Sequence, residues 1–330
     1  MRKVKYIFIA LILISLCGCV VVPGCIDTKG KVENMPENTT SFIFAPGHAI
    51  TIYDVKEPFS YEIYSNNYGF IHGISYLYDK KAIMICEVKF RALNDYGEYD
   101  ITKREDEKNY LKLLSINAGT VEVLYEGLCE RPAVSPDEKK AVFYSNGNLV
   151  IIDINAKKTN ILSTEATSSI GYKMPPSWSP DAKKIAFVTN DGYVAIISAS
   201  GGKIEKIRKG VSCQWSPVDN EKILISEYPW GPSYKYKDSN YYVINTKGAI
   251  LDNLTDTFKD EFSYPWSYYW AKDGVHIFVV SRHETLYGGN YMRVWQLNIK
   301  TKEVKRIIKD YLFSADLIQI RANKKIETEK

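Results

Sequence analysis

From residue 41 onward, apolar and polar positions alternate in short runs with no helical period. The clearest run spans residues 177–198, SWSPDAKKIAFVTNDGYVAIIS. Pro180-Asp181 predicts a turn in which proline fixes φ and the Asp carboxylate caps the backbone that follows. Ile185, Phe187 and Val188 then alternate with small or polar residues. Asn190-Asp191-Gly192 supplies the positive φ of a short hairpin before Tyr193 to Ile197 returns. With residues 204–207 as a last strand, the unit has four strands. It cannot bury both faces alone, so it must stack.

The same unit recurs along the chain. Residues 133–154, AVSPDEKKAVFYSNGNLVIIDI, match it almost position for position, with Ser135-Pro136-Asp137 and Asn146-Gly147 at the two turns. Weaker copies run through residues 41–64, residues 76–125, a segment from Trp215-Ser216-Pro217, and one from Trp270-Ala271-Lys272-Asp273-Gly274. The turn acids Asp79, Asp137, Asp181, Asp219 and Asp273 recur at intervals of roughly 40 to 60 residues, a spacing of propeller blades or solenoid coils. Four-stranded units select the propeller. The first unit lacks its leading strand, and residues 312–316, LFSAD, look like a worn copy of SWSPD. The expectation is an all-β, six-bladed β-propeller with four-stranded blades, closed by pairing of this C-terminal strand with the first hairpin; six blades are favoured over seven. Closure removes exposed sheet edges.

Composition changes this picture little: 45% apolar and 25% charged residues suit a globular fold, and 25 Tyr with 6 Trp favour strands. The ends matter more. Arg2, Lys3 and Lys5 form a basic region ahead of the apolar residues 6–16, so residues 1–25 read as a targeting segment. Leu16-Cys17-Gly18-Cys19 resembles a lipobox, which implies lipid attachment at Cys19; the alternative is an uncleaved anchor over residues 6–22, near the lower limit of about 17 residues for spanning. Either reading places the domain outside the cytoplasm, tethered to the cell membrane. Residues 26–40 read as a flexible tether, 41–322 as the propeller and 323–330 as a frayed tail. Setting the leader aside leaves a net charge of about +1, which excludes a nucleic-acid partner on charge grounds. Cys86, Cys129 and Cys213 lack metal spacing and read as buried thiols.

Trp178-Ser179-Pro180-Asp181 followed by Lys184-Ile185-Ala186-Phe187 resembles the PD40 (WD40-like) repeat of TolB-type β-propellers, with Ser135-Pro136-Asp137 and Trp215-Ser216-Pro217 as partial matches. Prolyl oligopeptidase-like peptidases use the same propeller. The resemblance covers roughly residues 41–322 and implies a fold and an envelope protein-interaction platform; it carries over no active site.

The sequence holds no G-x-S-x-G elbow, no HExxH and no glycine-rich phosphate loop. No cofactor, no metal and no catalysis are expected. Long insertions at residues 91–109, 228–240 and 283–291 each follow the second strand of a unit, so all should leave from one rim. Two neighbouring stretches there are rich in aromatics: Tyr228, Trp230, Tyr234 and Tyr236 in one, Tyr264, Trp266, Tyr268 and Tyr269 in the other. With Arg282 and His283 they form the candidate binding face for an envelope protein or a surface glycan. The competing reading packs the same aromatics on one another as a lid. The chain is expected to be a monomeric, non-catalytic interaction platform. Alternatives are a glycan-binding module or carbohydrate-active enzyme, using acids such as Glu227, Asp238 or Glu261, and a structural envelope component.

Overall fold

The computed structural model describes residues 41–44, 49–54, 60–65, 69–89, 108–116, 118–166, 174–227, 239–262, 265–284, 290–311 and 318–319. Five blades are each built from four consecutive antiparallel strands. Blade I holds β4 (Gly69–Leu77), β5 (Ala82–Lys89), β6 (Lys108–Ser115) and β7 (Thr120–Glu126). Blade II holds β8 (Glu130–Val134), β9 (Lys140–Ser145), β10 (Asn148–Asp153) and β11 (Thr159–Ser163), and blade III holds β12 (Ser177–Trp178), β13 (Lys184–Val188), β14 (Tyr193–Ser198) and β15 (Glu205–Lys209). Blade IV holds β16 (Ser212–Trp215), β17 (Ile223–Glu227), β18 (Asn240–Ile244) and β19 (Ile250–Asn253). Blade V holds β20 (Pro265–Trp270), β21 (His276–Glu284), β22 (Asn290–Asn298) and β23 (Val304–Tyr311).

The expectation of six blades is corrected: the repeat builds five, and the remaining, composite sheet joins the two chain ends, a C-terminal strand pairing with the first hairpin. Its order is β24 (Ile318–Gln319), β1 (Ser41–Phe44), β2 (Ala49–Asp54), β3 (Ser60–Ser65). The closing strand is also not the one expected. Gln319 pairs with Phe42 and Ile318 with Ile43, and residues 312–316 lie outside the described residues.

The turn grammar of the repeat is visible atom by atom. The Ser179 hydroxyl donates to Asp181 Oδ1 (2.6 Å) and accepts from the Lys184 N–H (2.9 Å), while Asp181 Oδ1 accepts from the Lys183 N–H (3.1 Å). Ser135 and Asp137 repeat this arrangement in blade II. Asp219 accepts from the Glu221 N–H and Asp273 from those of Val275 and His276. Donation by Ser179 holds the Asp181 carboxyl below its ordinary range. The residue after the Asp is left-handed in three blades: Glu138 (φ 54°), Ala182 (φ 58°) and Gly274 (φ 64°). Only glycine adopts this region without steric cost. Ala182→Gly should therefore stabilise the protein by about 0.5–1 kcal/mol, read as a small rise in melting temperature; a fall would show that the turn carries no strain.

Innermost strands are tied to one another across blade boundaries. Val134 N–H donates to Ser75 Oγ (3.1 Å), Trp215 N–H to Ser177 Oγ (2.8 Å) and Trp270 N–H to Gln214 Oε1 (3.1 Å). The indole N–H of Trp178 reaches the Ala133 carbonyl and that of Trp270 the Gln214 carbonyl. At Trp178 and Trp270 the repeated tryptophan fills the inter-blade core and pins the preceding blade, whereas the buried indole N–H of Trp215 has no hydrogen-bond partner among the described residues. Trp178 and Trp215 are buried, and Trp270 is half-buried against the same type of core.

From the composite sheet through to blade V, consecutive sheets enclose apolar clusters, from Ile50, Tyr64, Ile71 and Ile85 between the composite sheet and blade I to Leu224, Phe258, Val279 and Leu297 between blades IV and V. Cys86, Cys129 and Cys213 are free and buried in these clusters. Burial pushes the Cys213 thiol up to about 12, so it behaves as an inert apolar residue. One interface also buries charge. Glu87 in β5 and Lys112 in β6 form an ion pair, and the Tyr64 hydroxyl of β3 donates to Glu87 Oε1 at 2.7 Å.

Candidate functional site

Strand direction alternates within a blade, so second-to-third connections share a rim with the blade-to-blade crossovers. The three long insertions lie between β5 and β6, β17 and β18, and β21 and β22, all second-to-third connections. They therefore leave from one rim. Tyr228, Trp230, Tyr234, Tyr236 and Tyr264 lie outside the described residues. Arg282 and His283 sit in β21, opposite Met292 and Tyr291 of β22. Trp266 is the extra residue of a β-bulge, between Pro265 paired with Ser281 and Ser267 paired with Val280. Such a residue is released from the ladder. Tyr269 is half-buried.

Tyr268 is corrected from the binding face to the core. It is 4% exposed, its hydroxyl hydrogen-bonds with Ser212 of blade IV, and its ring meets Tyr241 edge-on with centroids 5.9 Å apart. Burial raises its phenol well above the ordinary value. The cause is the crossover between blades IV and V, which contains a helix that the strand-only reading missed, α1 (Thr255–Glu261). Asn253 Oδ1 accepts the Thr255 N–H at its start, and Thr255 Oγ1 accepts the Tyr241 N–H. Leu254, Phe258 and Phe262 recur at the four-residue spacing of one helical face, and all are buried. Phe258 stacks on Tyr241 at 4.0 Å, and Phe262 packs 5.8 Å from Trp295. That spacing was the available signal, masked by the aromatic density around it. Part of the aromatic set is thus a packed support beneath the rim.

At the base of the second insertion, Arg208 of β15 pairs with Glu227 of β17, and its guanidinium lies 5.3 Å from the Tyr242 ring. Glu227 is therefore engaged in a link between blades III and IV. Among the described residues no cluster of three or more His, Cys, Asp or Glu side chains could hold a metal. The described histidine of the repeat, His276, serves its turn: Nδ1 meets Asp273 Oδ2 at 2.7 Å and Nε2 faces Asn298 Nδ2 at 3.3 Å.

On the opposite rim, the first-to-second turns of blades I, II and V converge. Both carboxylate oxygens of Glu138 accept from backbone N–H groups, those of Asp79 and Lys80. Lys272 Nζ lies 2.9 Å from the Tyr78 ring centroid, joining blade V to blade I. Burial lowers the Lys272 ammonium from its ordinary value, opposed by Asp79 and Glu138. Lys272 stands where Pro180 stands in the best repeat, a departure readable in the sequence.

No family model matches the sequence, and no curated protein matches it. Solved structures do. An oligogalacturonate lyase in complex with manganese is 13% identical over 84% of this chain and 74% of its own, with a TM-score of 0.50. A Mycobacterium tuberculosis puromycin-hydrolyzing peptidase is 11% identical, covering 85% of this chain and 45% of its own, with a TM-score of 0.52. A putative TolB from Agrobacterium tumefaciens is 14% identical over 86% of this chain and 82% of its own, with a TM-score of 0.42. The fold is a β-propeller. At such identities the likeness extends to the fold alone. It does correct one expectation: this fold is shared with a lyase and a peptidase, so a propeller lacking familiar catalytic motifs is not thereby a non-enzyme.

Proposed function

We propose that the protein is a membrane-tethered β-propeller, held at the outer face of the cell membrane through Cys19 or an N-terminal anchor, that binds an envelope protein through its insertion-bearing rim. The observation that carries this reading is topological: the three long insertions occupy the same type of connection and so one rim. Separate insertions on one rim make a composite surface, which is how rigid scaffolds display binding loops. The packed helix α1 gives that surface a fixed base between blades IV and V. Exposed Trp and Tyr are the side chains that anchor protein interfaces. Residues 1–40, which carry the lipobox-like tetrad and the tether, lie outside the described residues.

The reading predicts that Trp230→Ala combined with Trp266→Ala abolishes retention of a discrete envelope protein by the immobilised domain while the melting temperature stays within a few degrees of the parent. Loss of binding together with a large loss of stability would make these aromatics a lid rather than an interface. A Cys19→Ala change should release the protein from membranes and remove lipid labelling. Persistent membrane association without labelling in the parent would favour the anchor.

A further inference from the structure

Between the outer strands of blades I and II lies an open cleft of about 420 Å³, within the range of small-ligand sites. Tyr125 of β7 forms one wall. The opposite side is made by Ser145, Asn146 and Asn148 at the turn between β9 and β10, with Thr159 and Asn160 of β11. Val150 and Ile161 add an apolar floor, with Ile161 62% exposed.

Two features distinguish this cleft from an ordinary seam. The first is the state of its polar groups. The side chains of Ser145, Asn146, Thr159 and Asn160 make no hydrogen bond to another described residue, and Asn148 Nδ2 makes only a long one, 3.5 Å, to the Asn146 carbonyl. Amides carry both donors and acceptors, so the lining offers paired, uncharged hydrogen-bonding capacity to an occupant. Among the described residues that line the cleft none carries a carboxylate or a cation. The ion pair of Lys157 with Glu122, at 2.7 Å, ties blade II to β7 without lining the cleft.

The second feature is a fixed ring. The Tyr125 ring lies 5.2 Å from Phe143 and against Gly127, whose φ is 145°. A Cβ on Gly127 would stand 2.6 Å from the Tyr125 hydroxyl and 2.8 Å from its Cζ. Glycine is therefore needed for the ring to take this place. A held aromatic wall beside free amides and hydroxyls matches a ligand with an apolar C–H face and an equatorial rim of hydroxyls.

We infer that the cleft between blades I and II is a binding site for a neutral saccharide, with Tyr125 stacking against the sugar face and Asn146, Asn148, Thr159 and Asn160 bonding its hydroxyls. The site is separate from the aromatic stretches of blades IV and V and does not depend on their binding a protein. Because the lining is uncharged, a neutral hexose should bind better than its uronate, whose carboxylate would lose hydration without gaining a counter-charge.

Titration of the tethered full chain in detergent, or of residues 26–330, with glucose, galactose, mannose, N-acetylglucosamine and their disaccharides tests this by saturation-transfer NMR and calorimetry. At least one neutral sugar should bind with a dissociation constant on the order of 1 mM or tighter. Asn148→Ala combined with Asn160→Ala should weaken it about tenfold without moving the melting temperature, because neither amide supports the core. Gly127→Ala should weaken it as well, by displacing the Tyr125 ring. Absence of binding by every neutral sugar, equal binding in the double-Asn variant, or a preference for uronates over neutral hexoses would each overturn the inference.

Discussion

Replacing Glu87 by Leu should cost about 3–5 kcal/mol of stability, among the largest effects of any single substitution in this protein. Glu87 is fully buried and its partner Lys112 nearly so, with side-chain exposures of 0% and 8%. Taking both charges out of water is expensive, and their mutual attraction offsets that cost only while both are present. Without Glu87, Lys112 keeps a charge inside the fold, with the Tyr64 hydroxyl at 3.5 Å and the Tyr110 ring at 5.5 Å as its remaining partners among the described residues. The double variant Glu87→Leu with Lys112→Met removes both charges and should recover most of the loss. Denaturant unfolding of the two single variants and the double variant forms the cycle. A single variant no worse than the double would mean that the pair is not buried in solution. Position makes this pair consequential: Tyr64 belongs to the composite sheet, so the triad bolts the chain ends to blade I. Tyr64→Phe should cost only about 1 kcal/mol, the worth of one hydrogen bond.

Phe258→Ala should lower stability by about 3–5 kcal/mol, a drop of about 10 °C in melting temperature for a domain of this size. The side chain is 1% exposed and contacts three other rings: Tyr241, Phe262 and Tyr268. Its removal leaves a cavity between blades IV and V that the helix α1, only two turns long, cannot close by itself. Phe258→Leu should cost much less, since most of the volume remains. If Phe258→Ala were nearly silent, α1 would be a detachable cover and the rim above it would lack a fixed base. Thermal unfolding followed by near-ultraviolet circular dichroism would report both the midpoint and the aromatic packing.

Local chemistry was readable from the residues, and distant contact was not. The turn at Ser179-Pro180-Asp181 is decided by hydrogen bonds to Lys183 and Lys184, a few residues away, so its copies stand out in the sequence. Strand pairs such as Lys184 to Val188 with Tyr193 to Ser198 follow from the turn between them and the alternation on either side. The pairing of a C-terminal strand with the first hairpin was legible, but not its position, because β24 is two residues long and meets β1 from the far end of the chain. A motif search cannot rank such short pairings. Helix α1 was hidden for a different reason: Leu254, Phe258 and Phe262 carry a helical period inside a stretch whose aromatic content favours strands. The same density made Tyr268 look like a surface anchor when it is core. Glu87 and Lys112 are adjacent only through strand register, Ile85 being opposite Lys112 and Glu87 opposite Tyr110, so no local pattern joins them.

The propeller therefore divides its residues by task. Repeated Asp, Ser and Trp positions set turns and tie inner strands, and the long insertions between second and third strands share one rim. The most direct test of that division is site-specific photo-crosslinking in intact cells, with a photoreactive amino acid placed at Trp230 on the insertion-bearing rim or at Lys183 on the opposite one, where the side chain is 80% exposed. The account predicts a discrete protein adduct from position 230 and none of the same mass from position 183. The same adducts from both positions, or an adduct from position 183 alone, would contradict it.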